Sequence, residues 1–133
     1  MASTKTTPAG LLKTLRILVV DDNADMRDSL RMLLTQLGHD AEGARDGQQA
    51  IEIQRRRPAG LLITDIFMPG KDGIETIEAF RREWPQIRIV AMSGGGAVAM
   101  RDYLRLAPDI GADAILRKPF TLETLQLVLN GLR

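Results

Sequence analysis

Apolar and polar positions alternate along this chain in two rhythms. Short apolar runs stand at Ile17-Leu18-Val19-Val20, Leu61-Leu62-Ile63-Thr64, Ile87 to Met92 and Ala114-Ile115-Leu116, with a weaker one at His39 to Ala44. Such runs predict strands. Three of them are continuously apolar, as expected when helices cover both faces of a strand. Between the runs the rhythm lengthens. Met26, Leu30, Leu33, Leu34 and Leu37 line one face of a first helix closed by Gly38. Ala50 and Ile51 mark a second helix from near Asp46-Gly47 to Pro58, and Ile74, Ile77 and Phe80 a third that ends before Pro85. A fourth is expected at about Val98 to Leu106, and Thr121 is the expected N-cap of a last helix turning Leu122, Leu125, Val128, Leu129 and Leu132 inward. Strand and helix thus alternate as repeated βα units around a parallel sheet.

Composition narrows what such a domain can do. The 133 residues suffice for one domain. Residues 1–13, rich in Ser, Thr, Pro and Gly, are expected to form a flexible N-terminal tail, and residues 14–133 the folded domain. With 18 basic and 17 acidic residues the net charge is +1, which supplies no general attraction to a phosphate backbone, so nucleic acid is not the expected partner. There is no cysteine and a single histidine, His39, which rules out disulfides, thiolate metal sites and paired-histidine sites. No run approaches the roughly 18–20 apolar residues of a membrane span, and the N-terminus lacks the apolar stretch of a secretory signal. A cytoplasmic location without membrane contact is the expectation.

The candidate chemistry lies at the ends of the strands. Asp21 and Asp22 follow the first, Asp65 follows the third, Ser93 follows the fourth and Lys118 follows the fifth. In an open α/β sheet, ligands bind at the carboxyl edge of the strands, near the point where strand order reverses, so these groups should converge. Each is ordinary alone: Asp is common in caps and turns, Ser at turns, and Lys as a solvated charge. Their coincidence on one edge carries the functional reading. Two carboxylates about 5 Å apart repel by about 3 kcal/mol at an effective dielectric of about 20, so something positive must offset them. Oxygen-only ligands indicate Mg²⁺, with Mn²⁺ as the alternative. Lys118 is a second source of positive charge and can also neutralise a phosphoryl oxygen.

From about Arg16 to Arg133 the sequence resembles the receiver domains of two-component response regulators. ILVVDDNADMR is similar to that family's first strand and acidic pair, LLITDIFMPGKDGIE to its phosphoacceptor strand, VAMSGG to its fourth strand with Ser or Thr, and ILRKPF to its closing Lys-Pro. The resemblance implies a flavodoxin-like, doubly wound (βα)5 fold whose five-stranded parallel sheet has the order 2-1-3-4-5, with helices on both faces. It implies Asp65 as phosphoacceptor, a metal held by Asp21, Asp22, Asp65 and the backbone carbonyl of Phe67, Ser93 and Lys118 on the phosphoryl group, and a cis Lys118-Pro119 bond.

By the same resemblance the protein is a phosphorylation-dependent signalling switch, not an enzyme with a substrate to turn over. Its phosphodonor would be a sensor histidine kinase, a histidine phosphotransfer protein or a small phosphodonor. The expected form is a stand-alone receiver, monomer or weak dimer, that signals through the face of the fourth helix, fifth strand and last helix. Three departures from the family pattern change details. Phe67 lies beside the route of the hydrolytic water, which implies slow self-dephosphorylation. Ile115 replaces the usual aromatic switch, and Gly94-Gly95-Gly96 implies a mobile loop after the fourth strand. Haloacid dehalogenase-like phosphohydrolases share a carboxylate, a metal and a lysine, but they carry Asp-x-Asp where this chain reads Asp21-Asp22-Asn23. A receiver-like module that binds without phosphorylation is disfavoured by retention of all five polar groups.

Overall fold

The computed structural model describes residues 14–66, 73–94 and 111–132. In chain order its elements are β1 (Arg16–Val20), α1 (Ala24–Gln36), β2 (Asp40–Ala44), α2 (Gly47–Arg56), β3 (Leu61–Asp65), α3 (Gly73–Glu83), β4 (Arg88–Ser93), β5 (Ala114–Arg117) and α4 (Leu122–Gly131). The strands form one sheet in the order β2-β1-β3-β4-β5, and every adjacent pair is parallel. This is the expected flavodoxin-like arrangement. The expected fourth helix, the tail and Phe67 lie outside the described residues.

The continuous apolar runs are explained by two separate cores. Because strand side chains alternate between faces, Leu18, Val20, Leu62, Ile89 and Ala91 pack with Ala50, Ile53, Ile77 and Phe80 on the side of α2 and α3. Ile17, Val19, Ile63, Val90, Met92 and Leu116 pack with Leu30, Leu34, Leu125 and Leu129 on the side of α1 and α4. α1, α2 and α4 begin at side-chain caps that satisfy backbone donors otherwise left unpaired. Asn23 accepts from the Met26 N–H, Asp46 from the Gln49 N–H and Thr121 from the Thr124 N–H.

Strand boundaries differ from the sequence pattern by single residues: Asp65, Ser93 and Arg117 belong to β3, β4 and β5, Ile87 precedes β4, and at β1 and β2 the local reason is visible. Arg16 belongs to β1 although it is charged. Its guanidinium reaches the Arg57 carbonyl and the carboxylates of Asp40 and Glu42, so its charge is met at the edge of the sheet. His39, expected in β2, precedes it. Its N–H closes on the Leu34 carbonyl at the end of α1, and its Nδ1 accepts the Leu15 N–H at 3.1 Å. β2 reads weakly because it is an edge strand, half-buried along most of its length.

Candidate functional site

Parallel register brings the site together. Val20 pairs with Thr64, so the residues one step further, Asp21 and Asp65, lie side by side. Asp65 pairs with Met92 and Ser93 with Arg117, which puts Ser93 and Lys118 on the same edge. Asp65 and Ser93 are the last residues of their strands, whereas Asp21, Asp22 and Lys118 stand just beyond theirs. All five polar residues singled out in the sequence are thus gathered along one edge. Phe67 lies outside the described residues.

Asp21, Asp22 and Asp65 each offer a carboxylate oxygen, and these atoms lie within 4.8 Å of one another. Asp21 and Asp65 are buried, while Asp22 is exposed. Lys118 Nζ donates to Asp21 Oδ2 at 2.9 Å and to Asp65 Oδ2 at 3.2 Å. Burial pulls this ammonium's pKa down, but the hydrogen bond to Asp21 and the charges of Asp65 and Asp21 outweigh it, so the pKa lies above the ordinary lysine value. Lys118 therefore stays charged at neutral pH. It offsets part of the acidic cluster.

Ser93 supplies the sharpest observation. Its hydroxyl is fully buried and has no hydrogen-bond partner, although buried polar groups are normally paired. Its carbonyl meanwhile accepts the Lys118 N–H at 2.9 Å, tying the hydroxyl-bearing residue to the lysine through the backbone. The hydroxyl thus ends a strand at the same sheet edge as Asp65 and Lys118 with its hydrogen-bonding capacity unused. The all-oxygen donor set of the three acids suits a hard divalent cation such as Mg²⁺. The Lys118-Pro119 bond is cis.

Two residues at the site escape the reading of strand ends. Arg27 Nη1 donates to the Asp21 carbonyl at 2.9 Å. Gly73, at the start of α3, lies so close to β3 that a Cβ there would overlap the Asp65 carbonyl and the Ile66 Cα. Both stand in segments quoted above, but their roles depend on contacts between elements rather than on any local pattern. A cavity of about 380 Å³ opens among Gln54, Ala59, Trp84, Pro85 and Ile87. It lies at the other edge of the sheet, where β3 and β4 begin.

Residues 17–130 match the family described as the response regulator receiver domain. The chain is a response regulator receiver domain. The receiver domain is 37% identical over 118 residues to the response regulator MprA of Mycobacterium leprae, covering 89% of this chain and 50% of that protein. It is 31% identical to the crystallised receiver domain of NtrX from Brucella abortus, with a TM-score of 0.79 and coverage of 86% and 95% of the two chains. The chemotaxis response regulator CheY4 of Vibrio cholerae superposes with a TM-score of 0.80 at 25% identity, covering 91% of this chain and all of that one. The receiver domain spans about half the length of the curated relatives it matches. That difference in length lends no support to the expectation of a receiver acting without an output domain. Receiver domains are phosphorylation-dependent signalling switches rather than metabolic enzymes, receive their phosphoryl group from histidine kinases and bind Mg²⁺ in an acidic pocket. Among the described residues no helix is long and apolar enough to cross a membrane.

Proposed function

We propose that Asp65 is the phosphoacceptor of this domain, that Asp21, Asp22 and Asp65 hold Mg²⁺ or Mn²⁺, and that Ser93 and Lys118 receive the phosphoryl group. The folded unit is residues 14–133, preceded by a tail at 1–13. The observation that carries this reading is the buried, unpartnered Ser93 hydroxyl on the same strand edge as the acidic cluster and Lys118.

In the reaction one Asp65 carboxylate oxygen forms a bond to phosphorus. The bond from phosphorus to the donor breaks, and its electron pair leaves with the imidazole nitrogen of a phosphohistidine or the acyl oxygen of acetyl phosphate. A bound Mg²⁺ would neutralise the phosphoryl oxygens and hold donor and acceptor in line. Lys118, already within reach of Asp65, turns part of its charge to a phosphoryl oxygen, and the Ser93 hydroxyl donates to another. Both groups then have partners that the unphosphorylated site does not offer. The Phe67 carbonyl as a further metal ligand rests on the family resemblance. So does output through the face of β5, the last helix and the fourth helix expected at about Val98 to Leu106, in a monomer or weak dimer.

The test is incubation with acetyl phosphate and Mg²⁺, read by intact mass. One phosphoryl group per chain is expected, absent when Mg²⁺ is chelated and absent in Asp65→Asn. Undiminished labelling of Asp65→Asn overturns the assignment.

A further inference from the structure

All four polar groups of Asp21 are engaged. Its N–H donates to the Ala44 carbonyl at 3.1 Å, its Oδ1 accepts the Asn23 N–H at 2.9 Å, its Oδ2 accepts Lys118 Nζ at 2.9 Å and its carbonyl accepts Arg27 Nη1 at 2.9 Å. The last of these differs in kind. It places a guanidinium on the peptide group that joins Asp21 and Asp22, two of the three acids of the proposed metal site. The orientation of that peptide sets the direction in which the chain leaves Asp21, and so where the exposed Asp22 carboxylate can stand. Arg27 lies near the N-terminal end of α1, where a cation opposes the helix dipole. Helix stability does not explain it.

The path taken by Arg27 is itself built. A Cβ placed on Gly43 would lie 3.3 Å from both Cγ and Cδ of Arg27 and 3.2 Å from Cδ of Arg31. Those distances are tighter than ordinary van der Waals contact, so the missing side chain at 43 is the space in which the two arginine stems cross the edge strand. Arg31 continues from there to the Ala41 carbonyl at 3.3 Å. Gly43 pairs with Val19, one step before the Ala44 whose carbonyl holds Asp21. One glycine on β2 therefore admits the arginine that grips the turn after β1.

We infer that Arg27 is a positioning residue for the carboxylate metal site, holding the Asp21–Asp22 peptide through the Asp21 carbonyl along a path that Gly43 keeps open. The inference rests on the proposed Mg²⁺ site. A lysine at 27 offers a single ammonium without the planar fork and so holds the peptide orientation less well. Groups that orient metal ligands typically change affinity by about tenfold to a hundredfold when removed.

Mg²⁺ affinity of the whole chain, measured by isothermal titration calorimetry without any phosphodonor, tests the inference. Arg27→Ala should weaken Mg²⁺ binding at least about tenfold, Arg27→Lys should fall between it and the parent, and Gly43→Ala should weaken binding by crowding the stem. In the Arg27→Ala background Gly43→Ala should have no further effect on Mg²⁺ affinity, because the stem that reaches the Asp21 carbonyl is gone and the remaining neighbour, Arg31, runs to the Ala41 carbonyl instead. Urea unfolding alongside separates positioning from fold loss: a purely structural role lowers stability while the folded fraction keeps the parent affinity. Parent-like affinity in Arg27→Ala, with binding lost in Asp22→Ala, overturns the role of Arg27 and leaves the metal site standing. Undiminished binding in Asp22→Ala overturns the metal site itself and this inference with it.

Discussion

At the scale of single residues, Ser93 and His39 stand in unusual polar environments. A buried hydroxyl without a partner carries a desolvation penalty of about 1–3 kcal/mol. Ser93→Ala should therefore leave the unphosphorylated domain as stable as the parent, or more stable by up to about 1 kcal/mol, while slowing phosphorylation by acetyl phosphate. A clear loss of stability in urea would show that the hydroxyl is structurally engaged. His39 is held below the ordinary imidazole value of 6.5 by burial. Its Nδ1 accepts the Leu15 N–H, a role that protonation of that nitrogen abolishes. The folded state thus favours neutral imidazole, and the unfolded chain takes up the proton first as pH falls through 6.5. The stability contribution is present above that pH and lost below it. Replacing His39 with Asn, which keeps an acceptor but cannot protonate, should flatten the fall in urea midpoint between about pH 7.5 and about pH 5.5. An unchanged slope would assign the loss to other groups.

At the scale of elements, the seating of α3 on β3 decides how rigidly the acceptor is held. Gly73 N–H donates to the Ile66 carbonyl at 3.2 Å, and no side chain fits between the glycine and the Asp65 backbone. Phe80 and Ile77, both fully buried, fasten the rest of the helix to the core, so α3 cannot simply move outward. Gly73→Ala should cost about 1–3 kcal/mol, the usual range for overpacking, and should slow phosphorylation because the strain falls on the acceptor's own peptide. A variant with parent-like stability and labelling rate would mean that the start of α3 yields easily. By contrast, the Arg55–Glu83 pair linking α2 to α3 is exposed, although it holds the Glu83 carboxyl below its usual range. Exposed pairs are screened by salt and contribute little to stability.

At the scale of the whole molecule, the acidic edge is where the fold brings like charges together. The carboxylates lie within 4.8 Å of one another, a spacing at which two unit charges repel by about 3 kcal/mol at an effective dielectric of about 20. A cation bound only by the folded state should raise the melting temperature by mass action. Saturation at a hundred times the dissociation constant corresponds to about 2.7 kcal/mol. Mg²⁺ should therefore shift thermal unfolding upward, and Asp22→Ala should lose most of that shift. An equal shift in the variant would place the cation elsewhere. The exposed Leu127 on α4 needs no special account, since single exposed leucines are common on soluble domains.

The order of elements, the buried strands and the residues of the acidic edge were legible in the sequence because they depend on near neighbours. Continuous apolar runs mark strands covered on both faces, caps such as Asp46 and Thr121 act over three residues, and a polar residue ending an apolar run lands on the sheet edge. The strand order 2-1-3-4-5 came through the motifs that resemble receiver domains. Other features arise between residues far apart in the chain. Lys118 meets Asp21 across 97 positions, and the isolation of the Ser93 hydroxyl follows from what the surrounding elements place around it. His39 looked like strand and became a helix-end residue because its ring found the Leu15 N–H. Arg27 and Gly73 stood inside the motifs that resemble receiver domains, but their contacts were not legible there, since a carbonyl grip and a backbone approach are set by helix-to-sheet distance. Local pattern chose the elements and the candidate residues; packing decided which atoms touch, because reach and register are fixed only when every element is in place.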